Sequence, residues 1–216
     1  MVVKGYQEIY IYISLTKLAM AEEEVPTSIE DEEPEETPGY KPPAQKTLDE
    51  IQKLDAEDES LVRYKQMLLA GAETAADDDG GPNVKVLKMS VIVEGRPDIE
   101  LDLSGDLSKL KEKPIVIKEG TNYKIKITFK VVREIVAGLK FHQVSYRKGI
   151  RVDKSSLMVG SYGPKADPQE YLTPLDEAPK GMLARGHYTL KSKFVDDDKI
   201  SYLDWEWAID IKKDWE

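Results

Sequence analysis

The chain has 216 residues, enough for one or two domains, and a formal net charge of −10. It contains no cysteine and only two histidines, His142 and His187. This excludes disulfide scaffolds, thiolate chemistry and Cys-ligated zinc, and it fits a reducing, cytoplasmic setting.

Residues 1–19 include the patch Ile9-Tyr10-Ile11-Tyr12-Ile13. It is far shorter than the ~20 apolar residues of a membrane span, and it lacks the apolar centre and cleavage site of a secretory signal. Met20-Ala21-Glu22 resembles a second start of translation, so residues 1–19 are set apart as an extension. Residues 20–81 then form an arm. Within it, residues 21–79 hold nineteen acidic and five basic side chains, a local charge of −14, and the other residues together sum to +4. Such asymmetry reports an interaction or a solubilising tail rather than a fold. Over residues 21–45 the acidic runs, with Pro26, Pro34, Pro38, Pro42 and Pro43, leave too little apolar surface to offset ordering entropy, which predicts a flexible stretch.

The period changes at residue 47. Leu48, Ile51 and Leu54 recur at helical spacing, Asp55 and Asp58 resemble a capped restart, and Leu61, Tyr64 and Leu68 continue at i, i+3 and i+7 before Gly71. Two short helices over about 47–70 are predicted. Helices this short are marginal in water, so they dock either on the rest of the chain or on a partner. Asp77 to Pro82 reads as a linker.

From Val84 the period becomes two. Tyr123, Ile125, Ile127, Phe129 and Val131 alternate with polar residues, as do Leu203, Trp205, Trp207, Ile209 and Ile211. Further strands are predicted at 84–93, 99–103, 114–118, 139–147, 150–159 and 186–195. Turns lie between them at Gly95, Gly120, Lys148-Gly149, Gly163-Pro164, Pro179-Lys180-Gly181 and Asp196 to Asp198. Seven to nine such strands over residues 82–216 predict an all-β fold, an antiparallel sandwich of immunoglobulin-like shape without the usual cysteine pair.

The signatures of catalysis are absent from the sequence: there is no GxxxxGK, GxGxxG, HExxH or GxSxG. Asp196-Asp197-Asp198 lacks EF-hand spacing and reads as a solvated turn. These features predict a protein that is not an enzyme. Trp205 and Trp207 share a face, and either fill a core or hold the sheets apart around an apolar ligand.

Longer strings settle on one family. Tyr40-Lys41-Pro42-Pro43-Ala44-Gln45-Lys46, Asp58-Glu59-Ser60-Leu61, Arg133-Glu134-Ile135-Val136, Tyr146-Arg147-Lys148-Gly149, Met158 to Pro164, Ala178 to Gly186 and Trp205-Glu206-Trp207 resemble the Rho GDP-dissociation inhibitors. The resemblance runs from about Met20 to Glu216. It implies an immunoglobulin-like sandwich behind a flexible acidic arm with two short helices. It also implies as partners prenylated Rho-family GTPases and their geranylgeranyl group, with no nucleic acid and only transient membrane contact. By position it implies that Tyr40, Thr47, Asp58 and Tyr64 of the arm touch the GTPase, and that Asp153, Asp197 and Asp198 accept basic groups of that partner. Val91, Ile115, Tyr123, Ile135 and Trp207 are implied as walls of the lipid slot. Ile115 stands where the family pattern has an aromatic, and the extension at 1–19 is absent from its common form. A general prenyl-protein carrier on the same sandwich is the alternative, and it would have no need of the helical pair.

Overall fold

The computed structural model describes residues 57–69 and 80–215. One helix, α1 (Glu59–Leu69), precedes ten strands: β1 (Val84–Val93), β2 (Ile99–Asp102), β3 (Ile115–Lys118), β4 (Asn122–Val131), β5 (Val136–Arg147), β6 (Ile150–Tyr162), β7 (Gln169–Leu172), β8 (Asp176–Glu177), β9 (Gly186–Val195) and β10 (Ser201–Lys212). The helix proposed around residues 48–54, and the extension, lie outside the described residues. No described helix is long and apolar enough to cross a membrane.

The alternation that defines β4 also decides its orientation. Tyr123, Ile125, Ile127, Phe129 and Val131 are all buried, whereas Lys124, Lys126 and Lys130 of the same strand are not. In β1 the buried apolar set is Val84 and Val86, then Met89, Val91 and Val93. The phase slips at Leu87, where a bulge shifts the register against β4 between Val86 and Lys88. One extra residue thus keeps both halves of the strand facing the core. In β10, Trp205, Trp207, Ile209 and Ile211 point inward and Asp204, Glu206 and Asp210 outward.

Two sheets result, one ordered β2-β1-β4-β7 with β8 also on β4, the other β3-β10-β9-β5-β6. They face each other across one core, where Phe129 of β4 meets Phe194 of β9 at 5.3 Å and Tyr162 of β6 edge-on at 5.0 Å. This is an immunoglobulin-like sandwich with ten strands rather than seven to nine. The added strands β7 and β8 are too short, at four and two residues, to carry a readable alternation. The sheets are also not wholly antiparallel. β3 pairs in parallel with β10, Ile115 opposite Ile209, because the chain crosses from one sheet to the other between β2 and β3. A 3-10 turn at Leu107–Leu110, capped by the Asp106 side chain, makes part of that crossing. The β5–β6 hairpin closes through Lys148 (φ 50°) and Gly149 (φ 80°), the mirror-image two-residue turn that matches strand twist.

Candidate functional site

α1 begins where its first amides find an acceptor. Asp58 Oδ1 takes the N–H groups of Ser60 at 2.9 Å and Leu61 at 3.2 Å, and the Asp58 carbonyl takes that of Val62 at 2.9 Å. Glu59 in the first turn complements the helix dipole and pairs with Arg63 one turn on, at 3.7 Å. No residue of the helix is buried. Its apolar stripe is open to water, with Leu61 42% and Tyr64 45% exposed. The far end is moored. A Cβ built on Gly163 would lie 1.7 Å from the Leu68 carbonyl oxygen, so the last turn of α1 rests directly on the backbone between β6 and β7. Asp58 and Tyr64 therefore share one exposed, capped helix. Tyr40 and Thr47 lie outside the described residues.

Four of the five implied lipid-slot residues sit in the interlayer. Val91, Ile115, Tyr123 and Trp207 are buried on strands of both sheets. The Tyr123 hydroxyl donates to Asp176 Oδ2 at 2.8 Å, and burial, reinforced by Asp176, pushes the phenol pKa far up. Trp207 donates its indole N–H to Ser192 Oγ at 3.0 Å, which pins the ring in place. Trp205 stacks on Phe141 with centroids 6.0 Å apart, and its buried indole N–H has no hydrogen-bond partner. Ile135 is separate. It lies half-buried in the β4–β5 connection beyond Val131, whereas Val91, opposite Ile125, and Tyr123, opposite Val93, lie near the other end of β1 and β4. Eight residues of strand, roughly 26 Å, separate Tyr123 from Val131.

The acidic residues divide in the same way. Asp153 lies on β6 opposite Ser145, at the Tyr123 end. Its side chain is exposed on the surface of β6, yet the atoms packed around the carboxyl, and then Asp176, raise its pKa. Asp197 is at the other end, its carboxylate over Gly138 and paired with Lys140 at 2.6 Å. Asp198 is half-buried beside it. The turn that holds them is not simply solvated. Asp196 is buried and accepts from Ile200 N–H at 2.9 Å and Tyr202 O–H at 2.6 Å. His187 stays on the surface of β9 against Asp210 at 2.8 Å, whereas His142 on β5 is half-buried and its Nε2 has no hydrogen-bond partner among the described residues. Burial, with Lys140 next in effect, lowers the pKa of His142.

Sequence reasoning missed Asp176 and Ser192, which fix Tyr123 and Trp207. The available signal was general: a buried phenol or indole needs a polar partner.

A helical arm element on a two-layer β-sandwich with an aromatic-rich interior defines a binding protein. The comparisons with known proteins give the family. The model for "RHO protein GDP dissociation inhibitor" matches residues 25–214. Rho GDP-dissociation inhibitor 1 of Homo sapiens is 53% identical over 196 residues, 90% of this chain and 96% of its own. The Rattus norvegicus form is 52% identical over the same shares. Rho GDP-dissociation inhibitor 3 of Bos taurus is 51% identical over 84% of this chain and 81% of its own. Among solved structures, a Niemann-Pick type C2 protein from Japanese carpenter ant superposes with a TM-score of 0.40 at 14% identity, covering 63% of this chain and 98% of its own, too loosely to carry an argument. The chain belongs to the Rho GDP-dissociation inhibitor family, a family of regulators and not of enzymes.

Proposed function

We propose that this chain binds prenylated Rho-family GTPases, slows their loss of GDP and draws them from membranes. The observation that carries the reading is the span of the family match, residues 25–214, which includes both arm and sandwich. In this reading α1, with Asp58 as acceptor and Tyr64 as anchor, holds the switch loops, and Tyr40 and Thr47 act with it. Nucleotide release requires those loops to open, so a clamp on them retains GDP. The interlayer bounded by Val91, Ile115, Tyr123 and Trp207 takes the geranylgeranyl chain. Ile135 acts at the far end of that layer, and Asp153, Asp197 and Asp198 meet basic groups of the GTPase.

The energetics assign separate tasks to the two parts. A twenty-carbon prenyl chain gains roughly 10–15 kcal/mol on leaving water, at ~0.8 kcal/mol per CH₂ with a discount for unsaturation. Transfer from bilayer to an apolar slot gains little, since both are apolar. The slot makes extraction nearly neutral, and the arm contacts tip it.

The test is release of GDP-loaded, prenylated Rho GTPase from vesicles, beside release of an unrelated prenylated protein. Selective release of the GTPase supports the reading. Equal release of both would favour a general prenyl-protein carrier.

A further inference from the structure

Three large apolar side chains stand in water side by side, Ile150 at the start of β6 beside the β5–β6 turn at 49% exposure, and Met182 and Leu183 on the adjoining β8–β9 loop at 78% and 69%. Single exposed apolar residues are ordinary; here they crown loops that are firmly held. Arg147, at the foot of the β5–β6 hairpin, donates to the Leu183 carbonyl and, at 2.6 Å, to the Arg185 carbonyl, bolting the hairpin to the β8–β9 loop. Glu119 grips that loop from below. Its carboxylate takes Arg185 Nε at 2.9 Å, Arg185 Nη2 at 2.6 Å and the Gly181 N–H at 2.9 Å. The Tyr188 hydroxyl closes the loop on the Ala184 carbonyl at 2.6 Å. Met182 and Leu183 are therefore presented on a rigid mount, so little ordering entropy is lost when they are covered.

The surroundings of the three residues narrow the choice of what covers them. The hairpin reads Arg147-Lys148-Gly149-Ile150-Arg151, three cations at the turn, with Asp153 two residues further along β6, and Arg147 makes its hydrogen bonds to carbonyl oxygens, which neutralise no charge. Apolar tips flanked by cations fit the boundary of an anionic bilayer, where the tips enter the acyl region and the cations meet headgroups. The position is continuous with the proposed lipid slot. The β8–β9 loop leaves the sheet through paired bonds of Ala178 with Gly120 and Thr121, each 2.9 Å, two residues from Tyr123.

We propose that Ile150, Met182 and Leu183 form a membrane-contact surface for anionic phospholipid, which brings the Tyr123 end of the sandwich down onto the bilayer. Its placement beside a slot mouth rests on the function proposed above; the contact itself does not.

The absence of native cysteine allows one label per molecule. Met182→Cys carrying an environment-sensitive fluorophore is titrated with phosphatidylcholine vesicles containing about one third phosphatidylserine, without GTPase. Ile200→Cys, 39% exposed at the other end of the sandwich, is the control. The expected result is a blue shift with about twofold brightening at position 182, weakened by salt and absent at 200. In the unlabelled full chain, Met182→Ser with Leu183→Ser is expected to slow vesicle extraction of prenylated Rho GTPase about fivefold while leaving GDP retention in preformed soluble complexes unchanged. No shift at 182, or a shift that appears only when GTPase is on the vesicle, overturns the proposal; the latter makes the surface a protein contact. Because the fluorescence arm contains no GTPase, its failure is distinct from a failure of the inhibitor reading, which would show as no extraction and no GDP retention by the unaltered chain.

Discussion

The contact between Gly163 and the end of α1 gives the sharpest handle on how the arm is held. A methyl group at residue 163 would sit 1.7 Å from the Leu68 carbonyl oxygen, where ordinary contact begins at 3.4 Å. The helix end must therefore retreat by about 1.7 Å or the β6–β7 backbone must yield. Residues Gly163 and Pro164 are buried, whereas α1 buries nothing of its own, so the helix is the side that gives. Overpacking of this kind costs about 1–3 kcal/mol. At 1.4 kcal/mol per factor of ten, Gly163→Ala should lower the ratio of docked to undocked α1 about 5- to 150-fold. Sandwich stability should move by less than about 0.5 kcal/mol. Amide exchange at 59–69, read beside a melting curve, checks both expectations, and GDP release from a bound Rho GTPase should speed up in parallel. Unchanged exchange and unchanged GDP retention in a normally folded Gly163→Ala protein would refute the mooring.

Asp58→Ala should remove the cap of α1, worth ~1 kcal/mol to the helix, and weaken the block on GDP release. Asp58→Asn should keep the cap, so a block lost in both variants, measured with fluorescent GDP, assigns the carboxylate to the partner. Trp207→Phe should leave the buried Ser192 hydroxyl short of its indole donor and lower unfolding free energy by about 1–3 kcal/mol in denaturant melts; no change would mean that the indole is not pinned. Asp153, although exposed, has a pKa raised by partial desolvation and by Asp176, an effect that solvent screening keeps small. A carboxyl raised on folding favours the folded state while protonated and opposes it as pH rises through the folded value. Asp153→Asn should therefore raise the Tm at pH 7 and flatten its decline between acid and neutral pH, and a lower Tm at pH 7 would count against that environment.

Much of the sandwich was legible because its central strands bury one face only. β4 and β10 repeat the period-two pattern through Tyr123 to Val131 and Trp205 to Ile211, and the structure buries those residues. The bulge at Leu87 was hidden, since one extra residue breaks the alternation without leaving a glycine or proline as a mark. The parallel pairing of β3 was hidden too: Ile115-Val116-Ile117 reads as a strand, but nothing in four residues chooses its neighbour. In the candidate site, the cap role of Asp58 followed from its place before a helical stripe. The separation of Ile135 from Tyr123 did not, because it depends on which end of a strand each occupies. Asp176 stayed unread because its role arises from pairing β8 with the start of β4, more than fifty residues away in the chain.

The central claim is that arm and sandwich act together on one prenylated GTPase. The most direct test is the rate of GDP release from prenylated Rho GTPase bound to the full chain, beside that from GTPase bound to residues 80–216. The account expects the fragment to fold and to take up the prenyl group while GDP leaves at nearly the free rate, and the full chain to hold GDP strongly. A fragment that retains GDP as well as the full chain does would contradict it.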